Sequence, residues 1–309
     1  MRRAMDCAGR TRHPQQCAAA TSTFPAAAAA AAAGGSEDWQ QQPVAVVTGA
    51  SSGIGLALAG KFAARGYSLT LAARDEVALG VVRRQLMELQ DATRRVDTCP
   101  TDVTDPAACR RLVAHALRAH GRLDALVVCA GVGHHGLCTD DSDPELVTHR
   151  DLLAVNYLGA VGCIQAALPA LLAAAGRLLV IGSLSGEVGL PVRSAYCASK
   201  AALSGYLSSI NRELAMQGTP LVIINVAPAS VDTAFHKQGR HGPRPSLSAE
   251  ECARRSMAAF DRGRTHTAFI PGYQRFLPLL PTWVADRLIA AHERKLLLAV
   301  TEAAATARL

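Results

Sequence analysis

Aromatic side chains are scarce, at 4 % of 309 residues, and the lysines and arginines form no dense stripe with aromatics between them. The electrostatic footprint and stacking platforms of a nucleic-acid-binding surface are therefore missing, and no nucleic acid is expected as a partner. Paired cysteine motifs are lacking as well. The nine cysteines include no CxxC pair, which argues against a zinc site or a disulfide framework and for a reducing compartment. His134-His135 is the one adjacent histidine pair. Two neighbours do not converge on one ion without further ligands, so no metal is expected.

Acidic residues are absent between Asp6 and Glu37. In residues 1–35, Arg2, Arg3, Arg10 and Arg12 against Asp6 leave +3 of the net +7, and Ala26 to Ala33 is alanine only. Residues 1–40 thus stand apart from the fold. Their arginine-rich, acid-poor composition describes a transit peptide for mitochondrion or plastid. A low-complexity disordered tail has the same composition, and both readings stay open. The opposite end, Ala307-Arg308-Leu309, is like the small-basic-leucine peroxisomal signal. Peroxisome and cytoplasm are thus the alternatives to import by the amino end.

Charge is missing from Leu152 to Gly176, 25 positions in a row. That length would span a membrane. Asn156, Gln165 and Pro169 interrupt it, however, and it falls where an alternating pattern requires a helix. Short apolar runs at Val44–Thr48, Ser68–Ala73, Val96–Pro100, Leu123–Ala130, Arg177–Ser183 and Leu221–Ala227 alternate with helical stretches. This predicts an α/β domain over 41–275: a single doubly wound parallel sheet, Rossmann-type, with helices on both faces. The uncharged helix, apolar nearly all round, is then buried on two sides. One side is the sheet and the other a second subunit, giving a homodimer or homotetramer. Residues 230–267 are polar and read as an irregular substrate loop. The stretch Phe269 to Trp283 is apolar but broken by Pro271, Pro278 and Pro281. Residues 276–309 therefore read as a cap, with peripheral membrane contact through the apolar segment as a further possibility.

Chemistry enters with Thr48-Gly49-Ala50-Ser51-Ser52-Gly53-Ile54-Gly55, where the first strand turns into a helix. Glycines there let the backbone approach a pyrophosphate, and the helix start offers free N–H groups. At the end of the second strand an acid would bind the ribose 2′-hydroxyl of NAD. Ala73 and Arg74 stand there instead, and a guanidinium suits the 2′-phosphate of NADP. NADP(H) is favoured over NAD(H), although Asp75 beside Arg74 works against the preference. Tyr196 and Lys200 are four apart on one helix and share a face. A nearby cation favours the phenolate, which makes a tyrosine a usable acid and base. Ser183 ends the preceding strand, and Asn156 lies inside the uncharged helix.

Together these residues closely resemble the short-chain dehydrogenase/reductase family, over about Pro43 to Thr233. The glycine run is similar to its TGxxxGxG. Asn156, Ser183, Tyr196 and Lys200 match its Asn-Ser-Tyr-Lys tetrad. The resemblance implies an oxidoreductase that moves a hydride between nicotinamide and a carbonyl or alcohol. In it Tyr196 exchanges the proton, Ser183 orients the carbonyl, Lys200 lowers the phenol pKa and binds nicotinamide ribose, and Asn156 holds a relay water. Cofactor contacts are implied for Thr48, Gly49, Ser51, Ser52, Gly53, Ile54, Gly55 and Arg74. They are also implied for Asp102, Val103, Ala130, Gly131, Tyr196, Lys200, Pro228, Val231 and Thr233. Two departures stand out. Val128-Cys129-Ala130-Gly131 replaces the family's Asn-Asn-Ala-Gly, and Pro228-Ala229 replaces its Pro-Gly. Val155 to Gly159 and Arg193 to Tyr196 resemble two lipid-oriented subgroups, the dehydrogenase/reductase member 7 type and the 3-ketodihydrosphingosine reductases. A hydrophobic or lipid-like substrate follows from that likeness. A catalytically silent cofactor-binding regulator of the same fold is the alternative, and the intact tetrad argues against it.

Overall fold

The computed structural model describes residues 42–88, 95–138, 146–233, 246–281 and 284–289. The transit-like segment 1–40, the carboxyl-terminal tripeptide and most of the expected cap lie outside the described residues.

Each expected strand forms: β1 (Val44–Thr48), β2 (Ser68–Ala73), β3 (Val96–Pro100), β4 (Ala125–Val128), β5 (Arg177–Ile181) and β6 (Val222–Pro228), all mainly buried except the edge strand β3, which buries only Val96. Between them run α1 (Gly53–Ala64), α2 (Glu76–Glu88), α3 (Pro106–His120), then α4 (Val147–Leu153) and α5 (Ala160–Ala173), and α6 (Ser194–Met216). Local signals set several ends. Pro106 opens α3 behind Asp105, whose carboxylate accepts the Ala107 N–H at 2.8 Å, and Gly121 closes it at φ 77°. The strands pair in parallel in the order β3-β2-β1-β4-β5-β6, with a seventh, β9 (His266–Ile270), beside β6.

Alternation along each strand divides the core. Val47, Leu71, Val127 and Leu179 face a layer with Leu58, Phe62 and Phe260. Val46, Leu126, Leu178 and Val180 face the other layer, with Leu112, Ile164 and Leu203. Two-sided burial explains why the strands read as continuous apolar runs. The chain reverses direction across the sheet between β1 and β4, and such a switch point opens a crevice at the strand carboxyl ends.

The expected irregular region contains regular structure. Short strands β7 (Val231–Asp232) and β8 (Leu247–Ser248) pair with each other, and α7 (Ala249–Asp261) follows. Ser248 caps α7 by accepting the Glu251 N–H at 3.1 Å, with Glu250 and Glu251 in the first turn. Cys252, Ala253, Ser256, Met257 and Phe260 form its buried stripe. The polar composition of the region reflects the outer face of that helix. Phe269 and Ile270, at the start of the proline-broken apolar stretch, complete β9 against Ala227 and Pro228.

The uncharged stretch is part of one helix, Val147–Ala173, long and apolar enough to cross a membrane by length and composition. Here it buries Leu152, Cys163, Ile164 and Leu171 in the domain. Leu153 and Leu158 remain exposed on its outer side. A π-helical turn at Ala154–Gly159 separates α4 from α5.

Phe62 of α1 meets Tyr67 and Phe260 edge-on, each at 5.0 Å between ring centroids. It is fully buried and holds α1 to α7. Phe62→Ala is expected to cost about 3–5 kcal/mol, read as a lower midpoint in urea unfolding at unchanged slope. A loss below about 1 kcal/mol would show that the ring is dispensable.

Candidate active site

The crevice at the switch point is a cavity of about 650 Å³. At one end the β1–α1 turn forms its wall. Gly49 has φ +66°, and a Cβ there would stand 2.9 Å from the Ala130 backbone. A Cβ on Gly55 would run into the Gly49 carbonyl oxygen. The turn therefore closes only without side chains at these points. Ser52 is the N-cap of α1, yet its side chain makes no capping bond. The first N–H groups of the helix stay available for an anion. This is the donor set that a pyrophosphate needs, and the residues present fit a dinucleotide.

Thr48 braces β1 against the chain that leaves β4. Its hydroxyl accepts from Cys129 and Ala130 N–H at 3.0 and 3.2 Å and lies 3.3 Å from the Val127 carbonyl, to which it donates. These bonds draw Cys129 and Ala130 out of the ladder, which is why β4 ends at Val128 rather than at Ala130. Along the same wall, Arg74 and Asp102 line the cavity. Two hydrogen bonds from Thr104, with a smaller contribution from Arg74, hold the Asp102 carboxyl below its usual range. Asp75 spends one oxygen on the Ala78 N–H at 2.9 Å.

The other end carries Ser183, Tyr196 and Lys200. Ser183 follows β5 and caps a 3₁₀ turn, Leu184–Gly186, by accepting the Ser185 N–H at 3.1 Å. A side-chain hydrogen bond joins it to Tyr196. Lys200 is buried, and its Nζ donates to the Ile181 carbonyl at 3.0 Å. Burial lowers this amine to about 8. Burial also raises the Tyr196 phenol to about 12, against smaller lowering effects from Ser183 and Arg193. The sequence-based expectation of a phenol lowered by Lys200 is thus not met. Desolvation outweighs the cations, and Arg193 is the cation that acts on the ring.

Asn156 and Thr48 sit behind the described wall of the cavity, whereas the other expected site residues line it. The Asn156 Oδ1 accepts the Val132 N–H at 2.8 Å, and its Nδ2 donates to the Val132 carbonyl at 2.8 Å and to Ser199 Oγ at 3.0 Å. Ser199 Oγ in turn donates to the Tyr196 carbonyl at 2.8 Å. Both amide protons are committed within the protein, so the side chain braces this end of the site. Thr233 approaches the glycine turn, its methyl 3.2 Å from where a Gly53 Cβ would stand. Among the lining residues without an assigned role in the sequence reading is Arg193. The signal was a cation at the start of a helix, the wrong end for the dipole.

Comparison with known proteins places this geometry in context. A family model described as short chain dehydrogenase matches residues 43–243. The chain is similar to the human dehydrogenase/reductase SDR family member 7, 34 % identical over 192 residues, covering 62 % of this chain and 56 % of that protein. The matched part is therefore less than two thirds of that relative. The chain is also similar to hydroxysteroid 11-beta-dehydrogenase 1-like protein B of Xenopus laevis, 33 % identical over 218 residues, 69 % of this chain and 73 % of the relative. An alcohol dehydrogenase from Thermococcus sibiricus, solved with 5-hydroxy-NADP, superposes with a TM-score of 0.66 at 26 % identity, covering 74 % of this chain and 95 % of that one. A short chain dehydrogenase/reductase from Burkholderia phymatum, solved with NAD, gives 0.65 at 25 % identity over 76 % and 92 % of the two chains.

The turn geometry makes Gly55 a direct test of dinucleotide binding. Gly55→Ala is expected to weaken NADPH binding at least about tenfold, or ~1.4 kcal/mol, in a fluorescence titration, with circular dichroism showing an intact fold. Unchanged affinity would place the dinucleotide elsewhere.

Proposed function

The chain belongs to the short-chain dehydrogenase family, and from that premise we propose that it is an NADP(H)-dependent oxidoreductase acting on a hydrophobic or lipid-like carbonyl or alcohol. The observation that carries the reading is the hydrogen-bonded pair Ser183–Tyr196 with Lys200 in the same cavity as the glycine turn. Nicotinamide, when bound, supplies or takes the hydride. In reduction, Ser183 and Tyr196 hold the carbonyl oxygen, and Tyr196 gives it the proton as the carbon accepts hydride. The phenolate left behind is stabilised by protonated Lys200. In oxidation the Tyr196 phenolate takes the proton back as the carbon gives up hydride. Relatives named for hydroxysteroid dehydrogenase support the lipid-like substrate. Exposed Phe276, Leu279 and Leu288 support contact with a membrane surface. The exposed Leu153 and Leu158 support assembly with a second copy.

The charge pattern at the adenosine end supports NADP(H). Arg74 lines the cavity, while Asp75 is engaged at the start of α2. NADP(H) is expected to bind more tightly than NAD(H), and Arg74→Ala to close the gap by about tenfold, the scale of one charge-assisted hydrogen bond. Equal affinities in the unmodified protein would remove the basis for this preference.

The pH dependence follows from the two buried groups. Below about 8 Lys200 keeps its proton, and above it the amine is neutral. Tyr196, raised to about 12, stays protonated across that range. Carbonyl reduction should therefore fall as pH rises through about 8, because the phenolate formed in the step loses its neighbouring cation. In kcat/KM profiles Tyr196→Phe should lower turnover ~10²–10⁴-fold at every pH. A flat profile from pH 7 to 9.5, or a Phe variant at full rate, would contradict these roles.

A further inference from the structure

The turn that carries Ser183 is held to the catalytic helix by an acid that the proton chemistry does not use. Glu187 follows the 3₁₀ turn Leu184–Gly186 and closes it, its N–H donating to the Leu184 carbonyl at 2.9 Å. Its side chain is half-buried. One carboxylate oxygen, Oε1, takes two donors from other elements: Ser204 Oγ of α6 at 2.7 Å and Asn225 Nδ2 of β6 at 3.3 Å. Tyr196, Lys200 and Ser204 are spaced four apart along α6, so they share one face of the helix. Glu187 therefore grips the reactive face of α6 one turn beyond Lys200.

Close packing flanks Ser183 on both sides. A Cβ on Gly182 would stand 2.5 Å from Asn225 Oδ1, and one on Gly186 would stand 2.8 Å from the Lys200 carbonyl oxygen. The turn thus lies on the Asn225 amide at one end and on the Lys200 backbone at the other. Asn225 is buried, and its Oδ1 has no hydrogen-bond partner among the described residues. The bond from its Nδ2 to Glu187 orients this amide beside Gly182. Ser183 is tied into the same turn, its carbonyl accepting the Gly186 N–H at 2.9 Å. Two hydroxyls must meet one carbonyl oxygen in the reaction, and a misplacement of about 1 Å can cost ~10²-fold in rate.

We propose that Glu187 is a positioning residue: by holding Ser204 and Asn225 it sets the Ser183 hydroxyl against Tyr196, so that both reach the carbonyl oxygen. This rests on the oxidoreductase reading above. The role is geometric. Both bonds run to Oε1, so the side-chain carbonyl of a glutamine accepts them as the carboxylate does, whereas alanine leaves both donors open.

The test is turnover of the full-length protein with NADPH and decanal, acetophenone or cyclohexanone, whichever is reduced fastest, beside NADPH affinity by fluorescence titration. Glu187→Ala is expected to lower kcat at least about tenfold and to leave NADPH affinity within about twofold. Glu187→Gln should bring kcat back to within about threefold of the unmodified protein. Added to Ser183→Ala, Glu187→Ala should cost less than about twofold more, because a residue that acts through another adds little once that other is gone. Should Glu187→Ala fail to fold, Ser204→Ala removes the shorter bond and carries the same expectations. An unchanged kcat, no recovery with glutamine, or a full second loss in the Ser183→Ala background overturns the proposal. Failure of the oxidoreductase reading looks different: the unmodified protein consumes no NADPH with any of the three carbonyls.

Discussion

The Asn156 amide is the joint on which the active end of this molecule depends. It is buried, and its oxygen and both its protons are engaged. Through Val132 it holds the chain leaving β4, and through Ser199 it holds the first turns of α6. A buried amide in this position is costly to leave unpaired, so the three segments move together or not at all. The π turn at Ala154–Gly159 widens the helix where this side chain departs. Gly159 completes the fit, since a Cβ there would come within 2.8 Å of Val103 Cγ2. The wall at Val103, the loop after β4 and the first turns of α6 are thereby set in one frame.

Within that frame, electrostatics is governed by the removal of water. Tyr196 and Lys200 move in opposite directions for one reason: burial disfavours the charged form of each. Burial thus keeps the phenol protonated and leaves the amine to titrate at about 8. The same burial pushes the Cys129 thiol, beside Lys200, up to about 12. It is therefore a neutral neighbour that leaves the lysine as the mobile charge. Arg193 adds fixed positive charge without exchanging protons.

Much of this was readable along the chain because the governing interactions are local. Strands buried on both faces appear as unbroken apolar runs, and the glycine turn is a steric requirement written in consecutive residues. The stripe and cap of α7 were equally local, but the polar outer face of that helix masked them. The π turn, by contrast, has no signature in Ala154-Val155-Asn156-Tyr157-Leu158-Gly159. It coincides with the bonds from Asn156 to Val132, 24 residues earlier.

By itself, the sequence determined the order and period of the elements, the glycine turn and the placing of Tyr196 and Lys200 four residues apart on α6. Each of these depends on residues within a few positions of one another. Only the tertiary structure decided that Asn156 serves as a brace, that burial raises the Tyr196 phenol, and that Arg193 lines the same cavity as Ser183 and Tyr196. These outcomes turn on solvent exclusion and on contacts between segments far apart in the chain. Neither exists until the sheet and its two helical layers have closed around the crevice.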